Sequence, residues 1–158
     1  MTGVVPHPSA SMGAKATATR VDKIMTAIEG LLPGFLANPD DYSVGDGNVA
    51  VCIIDEQGVV YGRMFGLDKN RMRQAFKIAW IKASQVWITW MKTGEYERAV
   101  FSGAVDEDTF GIIRPDFIGW EGGQPFTLKD GTRLSAGVSG MRGVSDLEIA
   151  LRAVAAVD

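Results

Sequence analysis

The sequence has one cysteine, one histidine and no long hydrophobic run, and each scarcity excludes something. Cys52 alone cannot form an internal disulfide, and its setting in Val49-Ala50-Val51-Cys52-Ile53-Ile54 reads as a buried strand rather than a reactive thiol site. His7 alone excludes a histidine cluster for zinc and is a poor base for a catalytic triad. Uncharged stretches such as Ala83 to Met91 are far shorter than the roughly 18 residues a membrane span requires. Met1 is followed by neither a basic n-region nor an apolar h-region, so a cytoplasmic location is expected. Sixteen basic residues against nineteen acidic ones give a net charge of -3, without the concentrated basic footprint of a nucleic-acid interface. HExxH, GxSxG, paired cysteines and a phosphate loop are all missing, so nothing in the residues implies a metal or cofactor.

What is present is an ordinary globular composition, 46% hydrophobic and 22% charged over 158 residues, enough for one domain with a core. Nineteen glycines exceed the usual share of about 7%. More than half lie beyond position 93, where they suit turns or close backbone approaches. Residues 1–13 mix proline, serine and glycine without a period and read as a flexible arm, leaving 14–158 as a single domain. From Ala14 to Leu32, Val21, Ile24, Met25, Ile28, Leu31 and Leu32 recur at helical steps, and Pro33-Gly34 is expected to end that helix. A loop is expected over 34–47. Asn48 to Ile54 and Val59 to Phe65, joined by Asp55-Glu56-Gln57-Gly58, predict an antiparallel hairpin.

Asp68 is placed to cap a long helix from Lys69 to about Met91. Met72, Phe76, Ala79, Ala83, Val86 and Trp90 share one arc of it, while Ile78, Ile81 and Ile88 group on another side. A helix apolar on two faces needs a second burial partner, which predicts a homo-oligomer built from dimers. A shorter helix follows from Thr93 to about Phe101. Lys129-Asp130-Gly131 then reads as a hairpin turn before a strand at Arg133 to Val138. Ser145 and Glu148 have the spacing of a capping box for a final helix with Leu147, Ala150, Leu151 and Val154 on its buried stripe and a Glu148–Arg152 pair outside. This order of elements predicts an α+β fold, an antiparallel sheet covered by helices.

Chemistry-bearing residues are few. Lys82 interrupts the apolar series Ile78-Ala79-Trp80-Ile81 and Ala83, either snorkelling or offering its ammonium to an anionic substrate. Arg114 and Arg133, near glycine-rich strand ends, suit a carboxylate or else ordinary surface pairing. Gly122-Gly123 can present backbone N–H groups to an anion, although a glycine pair is commonly a turn. Asp106, Glu107 and Asp108 read as a solvated turn. Trp80, Trp87, Trp90 and Trp120 either pack the core or line an apolar pocket.

The stretch Val51 to Arg63, followed by Ile78-Ala79 and Lys82-Ala83, resembles the GlcG/HbpS-like family. Gly122-Gly123-Gln124-Pro125-Phe126 and Ala136-Gly137-Val138-Ser139-Gly140 are similar to two further elements of that family, so the resemblance covers roughly 48–158. It implies an antiparallel five-stranded sheet flanked by helices, a profilin-like arrangement assembled as dimers or larger oligomers. It also implies a pocket at Lys82, Gly122, Gly123, Pro125 and Ser139. Some members bind haem or a corrinoid. No histidine lies near the motifs here, so the expected function is binding of a small organic, anionic ligand. Lys82, Arg114 and Ser139 would be the catalytic residues of an isomerisation, lyase or proton transfer, and Gly122, Gly123 and Pro125 the cofactor-side contacts. The alternatives are a haem or corrinoid carrier and an accessory subunit of a larger enzyme.

Overall fold

The computed structural model describes residues 8–114 and 116–158, with side chains from residue 13 onward. Helix α1 spans Pro8–Leu36, so it starts earlier than the hydrophobic period suggests and takes in part of the expected arm. His7 lies outside the described residues. Pro33 does not end α1: it forgoes its own intrahelical hydrogen bond and crowds the carbonyl four residues back, yet the chain stays helical to Leu36. The expected loop contains a second helix, α2 (Pro39–Gly45). Its start signals were in the sequence: Asn38 accepts the Asp40 N–H, Pro39 sits at the first helical position, and Asp40 and Asp41 fill the first turn.

Strands β1 (Val49–Asp55) and β2 (Val60–Phe65) form the expected hairpin, with Ile54 opposite Val60 and Gly58 at φ 82 in the turn. Helix α3 (Lys69–Thr89) is capped by the Asp68 carboxylate, which accepts the N–H groups of Asn70 and Arg71. Helix α4 (Thr93–Phe101) follows, then β3 (Gly123–Thr127), β4 (Arg133–Ser139) and α5 (Gly143–Val157). The antiparallel sheet runs β2-β1-β4-β3. It has four strands among the described residues, not the five the resemblance implied. The stretch between α4 and β3 is tied down by side chains rather than by an edge ladder: Gln85 exchanges two 2.9 Å hydrogen bonds with the Ile118 backbone, and Thr93 Oγ1 donates to the Trp120 carbonyl at 2.6 Å.

Period-two alternation divides the core between the two faces of the sheet. Val49, Val51, Ile53, Leu134, Ala136 and Val138 pack against α1 and α5, while Ala50, Cys52 and Ile54 meet Ala75, Ala79 and Ala83 of α3. β1 is buried throughout, and desolvation pushes the Cys52 thiol up to about 12, which keeps it an inert core residue. Helix α3 lies close to β4, since a Cβ on Gly137 would stand 2.1 Å from the Ala79 carbonyl oxygen. Only a glycine fits there.

Two expectations for the helices shift phase. In α5 the buried residues are Ser145, Asp146, Ile149, Ala150, Ala153 and Val154, whereas Leu151 is exposed and Ser145 makes no cap bond. Ser145 Oγ donates instead to Asp41, and Arg152 lies over the Phe35 ring. In α3 the buried set is Ala75, Ala79, Lys82, Ala83, Gln85, Val86 and Thr89, while Trp80, Trp87 and Ile88 remain 44–48% exposed.

Candidate functional site

Lys82 does not snorkel. Its side chain is 2% exposed, and its ammonium donates to the Val138 carbonyl at 2.7 Å and to Asp146 Oδ2 at 3.2 Å. The other Asp146 oxygen accepts the Met141 N–H at 3.1 Å. Helix α3 supplies the cation from the face it lays on β4, and the first turn of α5 supplies the carboxylate. The β4–α5 turn, through Met141, holds that carboxylate in place.

Burial opposes both charges. It lowers the Lys82 pKa against the attraction of Asp146, and it raises that of Asp146 to about 7 despite the favourable Lys82 ammonium and Met141 N–H. Burial thus works against the charged form of each partner, and their mutual attraction works for it.

A cavity of about 340 Å³ opens onto this pair. Ile78, Met141 and Val44 give it apolar walls, with Trp120 and Glu121 on one side and Ser139 and Arg142 on another. Gly122 (φ 113), which lines a smaller neighbouring cavity, packs directly against the pair: a Cβ there would stand 2.7 Å from the Val138 oxygen, 2.8 Å from Asp146 Cβ and 2.9 Å from Lys82 Nζ. Its carbonyl accepts the Val138 N–H, which ties that backbone to β4.

The structure thus joins Lys82, Ser139 and Gly122 in one place. Gly123 lines that smaller cavity too, with Thr93 and Lys92, and Pro125 sits on edge strand β3 opposite Ser135. Arg114 is elsewhere: it makes a bidentate pair with Glu107, at 3.1 Å for each side-chain bond, beside Val100 and Phe101. Only a tertiary fold reveals that a surface acid seven residues away claims this arginine.

Arg142 stands where Arg114 was expected. Its Nε and Nη2 reach Asp41 at 2.8 and 3.2 Å, and Ser145 Oγ donates to the same carboxylate at 2.9 Å. The Arg142 guanidinium beside it holds Asp41 below the usual carboxylate range. Asp41 is buried while Arg142 is 43% exposed, so the arginine is anchored at one edge and open at the mouth of the cavity. Sequence reading missed Arg142 and Asp146. The latter carried a signal, since it lies one helical turn before buried Ile149 and Ala150, a charge on an apolar stripe.

No protein-family model matches the sequence, and no curated protein matches it. Solved structures do resemble it. HbpS aligns with TM-score 0.58 and 25% identity over 88% of this chain and 86% of its own. Klebsiella pneumoniae protein ORFY aligns with TM-score 0.63 and 18% identity over 89% and 90%, and a PduOC:haem complex with 0.61 and 19% over 85% and 92%. Among the described residues no helix is long and apolar enough to cross a membrane. HbpS, at 25% identity, is in keeping with the resemblance to the GlcG/HbpS-like family carried by the ordered sequence motifs, while ORFY and the PduOC:haem complex, at 18% and 19%, show a shared fold.

Proposed function

We propose that residues 14–158 act as one domain that binds a small anionic metabolite in the Lys82 cavity and moves a proton on it, in an isomerisation or lyase step. The observation that carries this reading is a carboxylate–ammonium pair, each side chain 2% exposed, on the wall of a largely apolar cavity. A buried acid titrating near neutrality suits general acid–base work, and perturbed pairs of this kind gather at functional sites. Lys82 offsets negative charge on the ligand or on Asp146. Ser139 directs a polar atom, and Arg142, whose bonds to Asp41 use only Nε and Nη2, meets the anionic group at the mouth.

Mass spectrometry of whatever leaves the folded protein on denaturation identifies the ligand class. Titration of that compound into wild type, Lys82→Met and Asp146→Asn then tests the site. Binding unchanged in both variants would refute it.

The alternative is haem or corrinoid binding, favoured by the likeness to a PduOC:haem complex. The donor set here does not fit haem ligation. Among the described residues no histidine lines the cavity and Met141 is its only sulfur, and Cys52 is sealed beneath α3 as a core thiol. A haem titration without a saturable, stoichiometric Soret change removes the haem version, and a cobalamin titration decides the corrinoid one. An accessory role in a larger enzyme rests on the exposed side of α3 and is tested by co-purification of a partner with no ligand in the isolated chain.

A further inference from the structure

The far end of α3 carries a second cavity, of about 200 Å³, unrelated to the Lys82 site. Its floor includes Ser135, a residue only 1% exposed whose hydroxyl has no hydrogen-bond partner among the described residues. A buried hydroxyl without a partner is costly and uncommon in a native core. Ser135 is flanked across the sheet by Ile54 and Pro125, neither of which offers it a side-chain partner.

Arg133, two residues earlier on the same face of β4, places its guanidinium carbon 4.5 Å from the centre of the Trp90 ring. No carboxylate stands within ion-pair distance of it among the described residues. Trp90 itself adopts φ 54, a left-handed conformation that a bulky aromatic residue seldom takes, and the strained cap brings its indole to this cavity. Trp87 forms another wall, its indole N–H fixed on the Asp55 carbonyl at 3.0 Å. Glu56 stands at the rim, where it accepts the Arg133 backbone N–H at 2.9 Å.

We infer that this cavity is a binding site for a small monocarboxylate with a compact apolar or planar body. A guanidinium stacked on an indole keeps its edge for a carboxylate, and the orphan Ser135 hydroxyl needs an acceptor, which a carboxylate oxygen provides. The two indoles suit an apolar body. Glu56 selects against a second negative charge, and hence against dicarboxylates.

The four tryptophans make the test internally controlled, because Trp87 and Trp90 line this cavity, Trp120 lines the other and Trp80 lines neither. Benzoate titrated into the ¹⁵N-labelled chain should shift the indole signals of Trp87 and Trp90 saturably, leaving Trp80 and Trp120 in place. Benzyl alcohol, the neutral analogue, should not. Arg133→Gln should weaken binding by about tenfold, the scale of a lost charge-assisted pair. Ser135→Ala should weaken it severalfold, with unchanged Trp80 and Trp120 signals showing that the fold is intact. The inference is overturned by the absence of saturation at tens of millimolar benzoate, by equal shifts with benzyl alcohol, or by full binding in Arg133→Gln. A shift confined to Trp120 also overturns it and assigns the carboxylate to the Lys82 cavity.

Discussion

The Lys82 ammonium and the Asp146 carboxylate, 64 residues apart in sequence, meet 3.2 Å apart with each side chain only 2% exposed. Such a pair costs desolvation that its own attraction barely offsets, so its loss on one side leaves an uncompensated charge. Lys82→Met should destabilise the fold by about 3–5 kcal/mol at pH 8 and by less at pH 5, where Asp146 takes up a proton. The double variant Lys82→Met/Asp146→Leu should recover much of that loss. Urea denaturation of the four-member cycle measures it, and strict additivity would contradict the coupling.

The same pair sets a pH dependence. The folded-state pKa of Asp146 is raised from 3.8 to about 7 by burial, so the folded chain holds a proton that the unfolded chain releases. Its contribution to stability is therefore present below about pH 4 and is lost as pH rises toward 7. Wild-type stability should fall relative to Asp146→Asn across that window, measured by denaturant unfolding at closely spaced pH values. Parallel curves would show that Asp146 titrates normally.

Gly122 is required twice, by its φ of 113 and by the absence of space for a Cβ among Val138, Asp146 and Lys82. Gly122→Ala should cost about 1–3 kcal/mol through strained backbone, and it should also weaken ligand binding by displacing the Lys82 ammonium. A neutral effect on both thermal unfolding and binding would mean the packing there is softer than its contacts indicate.

The two arginines separate the two accounts of the anion contact. Arg142→Gln should weaken binding of the metabolite recovered from the Lys82 cavity by about tenfold, because a bidentate-capable guanidinium leaves its mouth. Arg114→Gln should leave affinity unchanged, since that side chain lies outside this cavity, beside Val100 and Phe101. Equilibrium titration of both variants reads the difference, and the reverse order would return the site to Arg114.

A dimer is expected from the outer side of α3, where Trp80 and Ile88 are exposed and Ile81 is half-buried. Burying each large aliphatic side chain contributes on the order of 1.5 to 3 kcal/mol before association costs, and a closed dimer covers such a face without forming fibres. Ile81→Asp or Ile88→Asp should shift sedimentation toward monomer or cause aggregation. A wild-type chain sedimenting as a monomer throughout the micromolar range would defeat the expectation.

Local chemistry, readable along the chain, determined most elements of this protein: the hairpin around Gly58, the Asp68 cap, α4, the turn at Gly131 and the alternation that buries β1. These depend on neighbours within a few residues, as does the family resemblance carried by Lys82, Gly122 and Ser139. The α2 helix is equally local, with its Asn38 cap, Pro39 and first-turn carboxylates all within four residues. Tertiary structure alone decided which charges meet. Asp146 became a buried acid because α5 turns its first turn onto the end of β4. Arg142 rather than Arg114 faces the cavity because Asp41 and Glu107 claim different guanidinium groups. Pairings over 64 or 101 residues leave no periodic trace, since one partner's spacing along the chain says nothing about where the fold brings the other.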